Sequence, residues 1–99
     1  AATVLVIGGG NSAIDTARSA KHLDQTNRVI LSCLETKENM PAFAEEIEHA
    51  IEEGIELIPD SYVNSCAANG NLQFELNKFS DKEFLKTLDA DYVIIAIGQ

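Results

Sequence analysis

Six residues near the start constrain this chain more than any others: Gly8-Gly9-Gly10-Asn11-Ser12-Ala13. They fit the spacing G-x-G-x-x-A, whose meaning depends on what stands on either side. Before them Thr3 to Ile7 reads T-V-L-V-I, an unbroken β-branched and aliphatic run of the kind a strand shows when both its faces are covered. After them Ala13, Ile14, Ala17, Ala20 and Leu23 recur at helical spacing, with Asn11 or Ser12 in position to cap the helix. A strand that turns on glycine into a helix is a ready anion site. The first helical amides have no intrahelical acceptor, and the helix dipole turns its positive end toward them. Gly8 permits the tight turn, Gly10 lets the backbone approach a diphosphate with no Cβ in the way, and Ala13 keeps helix and strand close. The glycines have a second reading, in which a strand-to-helix turn needs them for sterics alone. The surrounding strand, helix, second strand and downstream acid favour dinucleotide binding.

The second strand is Arg28 to Leu34, reached from the helix through a polar turn at Gln25 to Asn27. At its end stands Glu35, 22 residues after Ala13 and near the roughly 20-residue offset expected of a carboxylate that accepts from an adenosine 2′-hydroxyl. Such a carboxylate repels a 2′-phosphate. Glu35 has the alternative reading of an exposed strand-end charge. Further on, Pro41 suits the first turn of a second helix, with Ala44, Ile47, Ala50 and Ile51 on its apolar face and Gly54 as its stop. Glu45, Glu46, Glu48, Glu52 and Glu53 fall mainly on the opposite side and read as a solvated face without function.

Ile55 to Ile58 reads as a short third strand closed by Pro59, which cannot donate to a sheet ladder. Tyr62 to Ala67 and Leu72 to Phe79 read as antiparallel strands joined at Asn69-Gly70. Asp81 to Leu88 fits either a third ribbon strand or a short helix, and Tyr92 to Ile97 (Y-V-I-I-A-I) reads as a last buried strand ending at Gly98. The expected fold is α/β: a Rossmann-like parallel sheet in the order third, second, first, last, with helices, and with an antiparallel β-ribbon in place of one crossover helix.

Composition narrows the function. Ninety-nine residues suffice for one core and not for two domains, so 1–99 is read as a single NAD(P)-binding domain. Sixteen acidic residues against seven basic ones give a net charge of -9, a field that disfavours nucleic acid and anionic lipid. Salt screens that field beyond about 8 to 10 Å, so local amides still hold a dinucleotide. Cys33 and Cys66 form no C-x-x-C pair, and both read as small buried hydrophobes. No apolar run approaches the roughly 20 residues that span a bilayer, and no signal sequence is evident, so the expectation is a cytoplasmic protein without membrane contact. His22 and His49 sit on helices and are expected to face solvent.

The stretches G-G-G-N-S-A-I-D-T-A, E-N-M-P-A, I-E-E-G-I-E and D-Y-V-I-I-A-I-G-Q together resemble the NAD(P)H-binding domain of the two-dinucleotide, FAD-dependent pyridine nucleotide oxidoreductases. Within them the chain is most similar to the glutamate synthase small-subunit (β) group, with thioredoxin reductases more distant. The resemblance implies a chain that presents NAD(P)H while a separate domain holds the FAD that takes the hydride, and therefore a piece of a larger FAD-containing oxidoreductase. It implies that Gly8 to Ala13 bind the pyrophosphate, that Gly98 lies near the nicotinamide, and that Asp15 stands close to nicotinamide and flavin. Asp15 also fits a plain reading as an acid in a helix's first turn. NADPH-selective relatives carry arginines where this chain has Leu34, Glu35 and Asn39, so the expected cofactor is NAD(H) over NADP(H), with Lys37 the one nearby cation that softens the preference. A non-catalytic dinucleotide-sensing or interaction module is the alternative function.

Overall fold

The computed structural model describes residues 1–69 and 71–97, so Gly98 and its expected role lie outside the described residues. Five elements follow one another as β1 (Thr3–Ile7), α1 (Asn11–Leu23), β2 (Arg28–Ser32), α2 (Ala44–Glu52) and β3 (Glu56–Ile58). Three strands, β4 (Ser61–Asn69), β5 (Asn71–Lys78) and β6 (Phe84–Ala90), then lead to β7 (Tyr92–Ile95). The parallel sheet has the order β3-β2-β1-β7, and β4-β5-β6 form a separate antiparallel sheet. This is the expected Rossmann-like arrangement, and Asp81 to Leu88 resolves in favour of a ribbon strand.

The alternation of side chains explains why the middles of the first two strands are apolar on both faces. Val4 and Val6 of β1, with Val29 and Leu31 of β2, point to one face and pack with Ala13, Ile14 and Ala17 of α1 and Ile47 and Ala50 of α2. Leu5 and Ile30 point to the other face and meet Phe74, Leu76, Leu88 and Ala90 of the ribbon. The molecule is thus three layers, helices, parallel sheet and ribbon, with the parallel sheet in the middle. Leu5, Ile30 and Leu31 are essentially without solvent contact, and each such side chain contributes about 1.5 to 3 kcal/mol.

Hydrogen bonds fix the seams between layers. The Ser32 hydroxyl donates to Ser61 Oγ at 2.6 Å, and Ser61 Oγ donates onward to the Ile58 carbonyl at 2.8 Å. Both serines are buried, so this chain of two bonds satisfies them and pins the start of β4 to the end of β2. Arg18 of α1 donates through Nε and Nη2 to both oxygens of Glu53, each at 2.9 Å, and through Nη1 to Glu46 at 3.1 Å. His22 Nε2 lies 3.1 Å from Glu53 as well. The Arg18 hydrogen bond holds the Glu53 carboxyl down at about 2.

Four expectations are corrected. The second helix begins at Ala44 and not at Pro41, because Met40 and Ala42 are drawn into the core and the amides of Ala42 and Phe43 are used elsewhere. The acidic face of α2 is only partly solvated: Glu46 and Glu53 clasp Arg18, and Glu48 pairs with Lys37. Cys33 is buried but Cys66 is exposed, since it lies on β4 of the outer ribbon layer. Of the run Tyr92 to Ile97 only Tyr92–Ile95 forms the strand, and it is exposed along its length, because among the described residues β7 is the edge of the sheet and a cleft separates it from α1.

Candidate functional site

The carboxyl ends of β1, β2 and β7 surround an open cavity of about 450 Å³ lined by Gly8, Gly9, Gly10, Glu35, Tyr62 and Ile95, among others. In an open parallel sheet this is where ligands sit, outside the strand ends at the point where the strand order reverses. Here β1 turns toward α1 between β2 on one side and β7 on the other.

Gly8 is required by two features at once. Its φ of 149° lies where L side chains rarely go, and an added Cβ would collide with the Ala96 carbonyl and stand 3.0 Å from the Ala13 Cβ. Its amide donates to the Ser32 carbonyl at 2.9 Å, tying the turn to β2. Gly9 serves a purpose that the spacing does not reveal. Glu35 Oε1 lies 2.6 Å from where a Gly9 Cβ would stand, so the acid rests over the bare middle of the turn. Glu35 is itself tethered, its carbonyl accepting from the Asp60 amide at 2.8 Å.

Gly10 is the N-cap of α1, extended at φ -92° and ψ -177°, and no side chain caps the helix. Neither Asn11 nor Ser12 fills the expected capping role. Asn11 Oδ1 instead accepts from the Phe43 amide at 3.1 Å, and the Gly9 carbonyl accepts from the Ala42 amide at 3.2 Å. These two bonds fasten the segment before α2 onto the glycine turn and use the amides that Pro41 would have placed inside a helix. The amides of Asn11, Ser12 and Ala13 head the helix with no i−4 acceptor, while Ile14 is the first to be satisfied, by Gly10 at 3.2 Å. The arrangement holds a row of donors beside a groove floor that lacks side chains.

Cys33 joins the groove wall as a protonated thiol, since burial and then the Glu35 charge push its pKa up to about 11. Glu35 and the glycines are therefore together in one groove, with Asn11, Ser12 and Ala13 on the helix that opens from it. Asp15 lies elsewhere. It is exposed one turn down α1 and borders a second cleft, of about 860 Å³, with Thr16, Leu23, Tyr92, Val93 and Ile94. Lys37 is not among the residues lining the groove either, its Nζ 2.8 Å from Glu48 Oε2. The sequence reading missed the wall made by Ser61, Tyr62 and Val63, whose only local sign is the break at Pro59-Asp60, where Asp60 takes a φ of 48°. Among the described residues no helix is long and apolar enough to cross a membrane, and no group of three or more His, Cys, Asp or Glu could hold a metal.

A glycine turn between a parallel strand and an uncapped helix, with an acid folded over it, defines a Rossmann-like α/β domain. The whole chain, residues 1–99, matches the family model described as pyridine nucleotide-disulphide oxidoreductase, and the chain belongs to that family. It is 34% identical to the glutamate synthase [NADPH] small chain of Azospirillum brasilense over 73 residues, which are 68% of this chain and 14% of the relative. Among solved structures it is similar to the thioredoxin reductase of Giardia duodenalis, with a TM-score of 0.82 at 23% identity, and to that of T. acidophilum, with a TM-score of 0.82 at 20% identity. Each superposition covers 98% of this chain and 31% of the reductase, and shows the shared fold. The chain spans between 5% and 31% of the length of the relatives it matches.

Proposed function

We propose that this chain is the NAD(P)-binding domain of a larger flavin-dependent oxidoreductase. It binds NAD(H) in preference to NADP(H) in the groove at Gly8 to Ala13 and presents the nicotinamide to FAD held by a companion domain. The observation that carries this reading is the uncapped start of α1 opening onto a groove floored by Gly8, Gly9 and Gly10, with the Glu35 carboxylate over Gly9. Donors and absent Cβ atoms fit a diphosphate, and the acid at the end of β2 fits a ribose with free hydroxyls. Bound nicotinamide would supply a hydride, two electrons with one proton, for the flavin to accept. The residues of this chain bind and orient the carrier; they take no electrons themselves.

The matched glutamate synthase small chain is named for NADPH. Cofactor choice therefore has to be read from this chain's own side chains. An acid at position 35, a leucine at 34 and no arginine in the crossover leave a 2′-phosphate without a partner and beside a negative charge. Losing two charge-assisted contacts of about 1.5 to 3 kcal/mol each disfavours NADP(H) on the order of 100-fold or more.

The companion domain is supported by the second cleft, where Asp15 stands beside the exposed apolar residues Tyr92, Val93 and Ile94. In this reading Asp15 faces the flavin side of the assembly. The test is a titration of the purified protein with NADH and NADPH, followed by nicotinamide fluorescence. NADH is expected to bind on the order of 100-fold more tightly. Glu35→Arg is expected to reverse the order, and equal or tighter NADPH binding by the unaltered protein overturns the cofactor assignment. Turnover in the full-length protein that survives Asp15→Ala overturns the placing of Asp15 on the flavin side, whereas nucleotide binding without any turnover in the full-length protein favours the sensing or interaction module over hydride transfer.

A further inference from the structure

Lys37 is the only Lys or Arg between the end of β2 and the end of α2, and so the only cation the crossover offers to a ribose phosphate. It is two residues beyond Glu35, so the two Cα atoms are within about 7.6 Å, and an extended lysine side chain covers a distance of the same order. Position alone would let the ammonium swing to the adenosine end of the groove and offset Glu35. The structure holds it against α2 instead. Lys37 occupies the short 3₁₀ turn Lys37–Asn39, and its Nζ is 2.8 Å from Glu48 Oε2 on α2. The pair borders a small cavity of about 240 Å³ with Met40, Ala42 and Ile47, which shares no lining residue with the groove. Among the described residues Lys37 is the only cation paired with Glu48, while Arg18 and His22 are taken up by Glu46 and Glu53, two and five positions away.

We infer that Glu48 is a specificity-positioning residue: by engaging Lys37 it withdraws the one local cation from the 2′ position of the adenosine ribose and leaves Glu35 unopposed. The inference rests on the NAD(H) reading of the groove. Glu48 does not touch the cofactor; it acts through Lys37, and only a 2′-phosphorylated ligand registers the difference. The pair is about half exposed on both sides, at 44% and 55%, so the effect is modest.

The experiment is a set of NADH and NADPH titrations on the unaltered protein, Glu48→Gln, Glu48→Asp, Lys37→Ala and the Lys37→Ala/Glu48→Gln double variant. Glu48→Gln is expected to tighten NADPH binding by about two- to fivefold while leaving NADH binding unchanged. Glu48→Asp is expected to retain most of the discrimination, and the double variant to lose the gain altogether. NADH binding with an NADPH-to-NADH ratio unmoved by Glu48→Gln, or a gain that persists without Lys37, overturns this inference and leaves the groove assignment standing. Failure of the unaltered protein to bind either nucleotide overturns both. All these substitutions are at exposed positions, so thermal unfolding is expected to stay within about 2 °C of the parent and to separate a folding defect from a change in selectivity.

Discussion

β2 and β7 flank the same strand, both run parallel to it, and both carry consecutive aliphatic residues, yet four of the five residues of one are buried and the other is exposed at every residue. Val29, Ile30 and Leu31 have at most 1% of their surface exposed, whereas Tyr92 and Ile95 have 61% and 66%. The difference lies in what surrounds them. β2 has a strand on each side, helices above and the ribbon below; among the described residues β7 has a partner on one side only, and a cleft separates it from α1. An apolar run declares that a strand is suited to burial on both faces. Which faces are covered depends on the elements that the rest of the fold, or a companion domain, brings to it.

The sharpest way to break this contrast is to cut equal volumes from both strands. Ile30→Ala is expected to cost about 2 to 5 kcal/mol, read as the midpoint shift in urea unfolding, because the ribbon cannot collapse fully onto the void. Gly8→Ala comes next. It forces a Cβ onto the Ala96 carbonyl at a φ that alanine disfavours, so it should cost about 1 to 3 kcal/mol and loosen the junction of β1 with β7. Nucleotide binding, followed by fluorescence, should be lost with it.

Acid sensitivity separates the layers in another way. Glu53 has its folded pKa lowered from 4.5 to about 2 by Arg18, so its contribution is complete above its unfolded value and is lost as pH falls through the folded one. The melting temperature should therefore drop between about pH 5 and pH 2, and Glu53→Gln should flatten that slope while leaving the β1–β2 contacts intact. The smallest effect is expected at the edge. Ile95→Ala should change stability by about 0.5 kcal/mol or less, and a cost similar to that of Ile30→Ala would show that β7 is buried in solution.

The same contrast explains what the sequence disclosed. β1, the glycine turn, α1 and β2 follow from local pattern, since periodicity, a φ that only glycine tolerates and β-branched runs act within a few residues. The helix start near Pro41 was misjudged because the competing claim on the Ala42 and Phe43 amides comes from Gly9 and Asn11, some 32 to 33 positions earlier. Burial of Cys66 and of β7 depends on layers that no local window contains. The groove was half legible: Gly8 to Gly10 and Glu35 stood out by spacing, but Ser61, Tyr62 and Val63 arrive at it through the Ser32 hydroxyl, a contact across 29 positions.

Gly9 and Glu35 share one small volume, with the carboxylate filling the space that any side chain at position 9 would claim. Their substitutions are consequently linked. An alanine at position 9 would push aside the movable end of the acid and would also stand 3.3 Å from the Cys33 Cβ, which cannot swing away. The middle glycine thus keeps open a berth that a carboxylate from a different strand end comes to occupy.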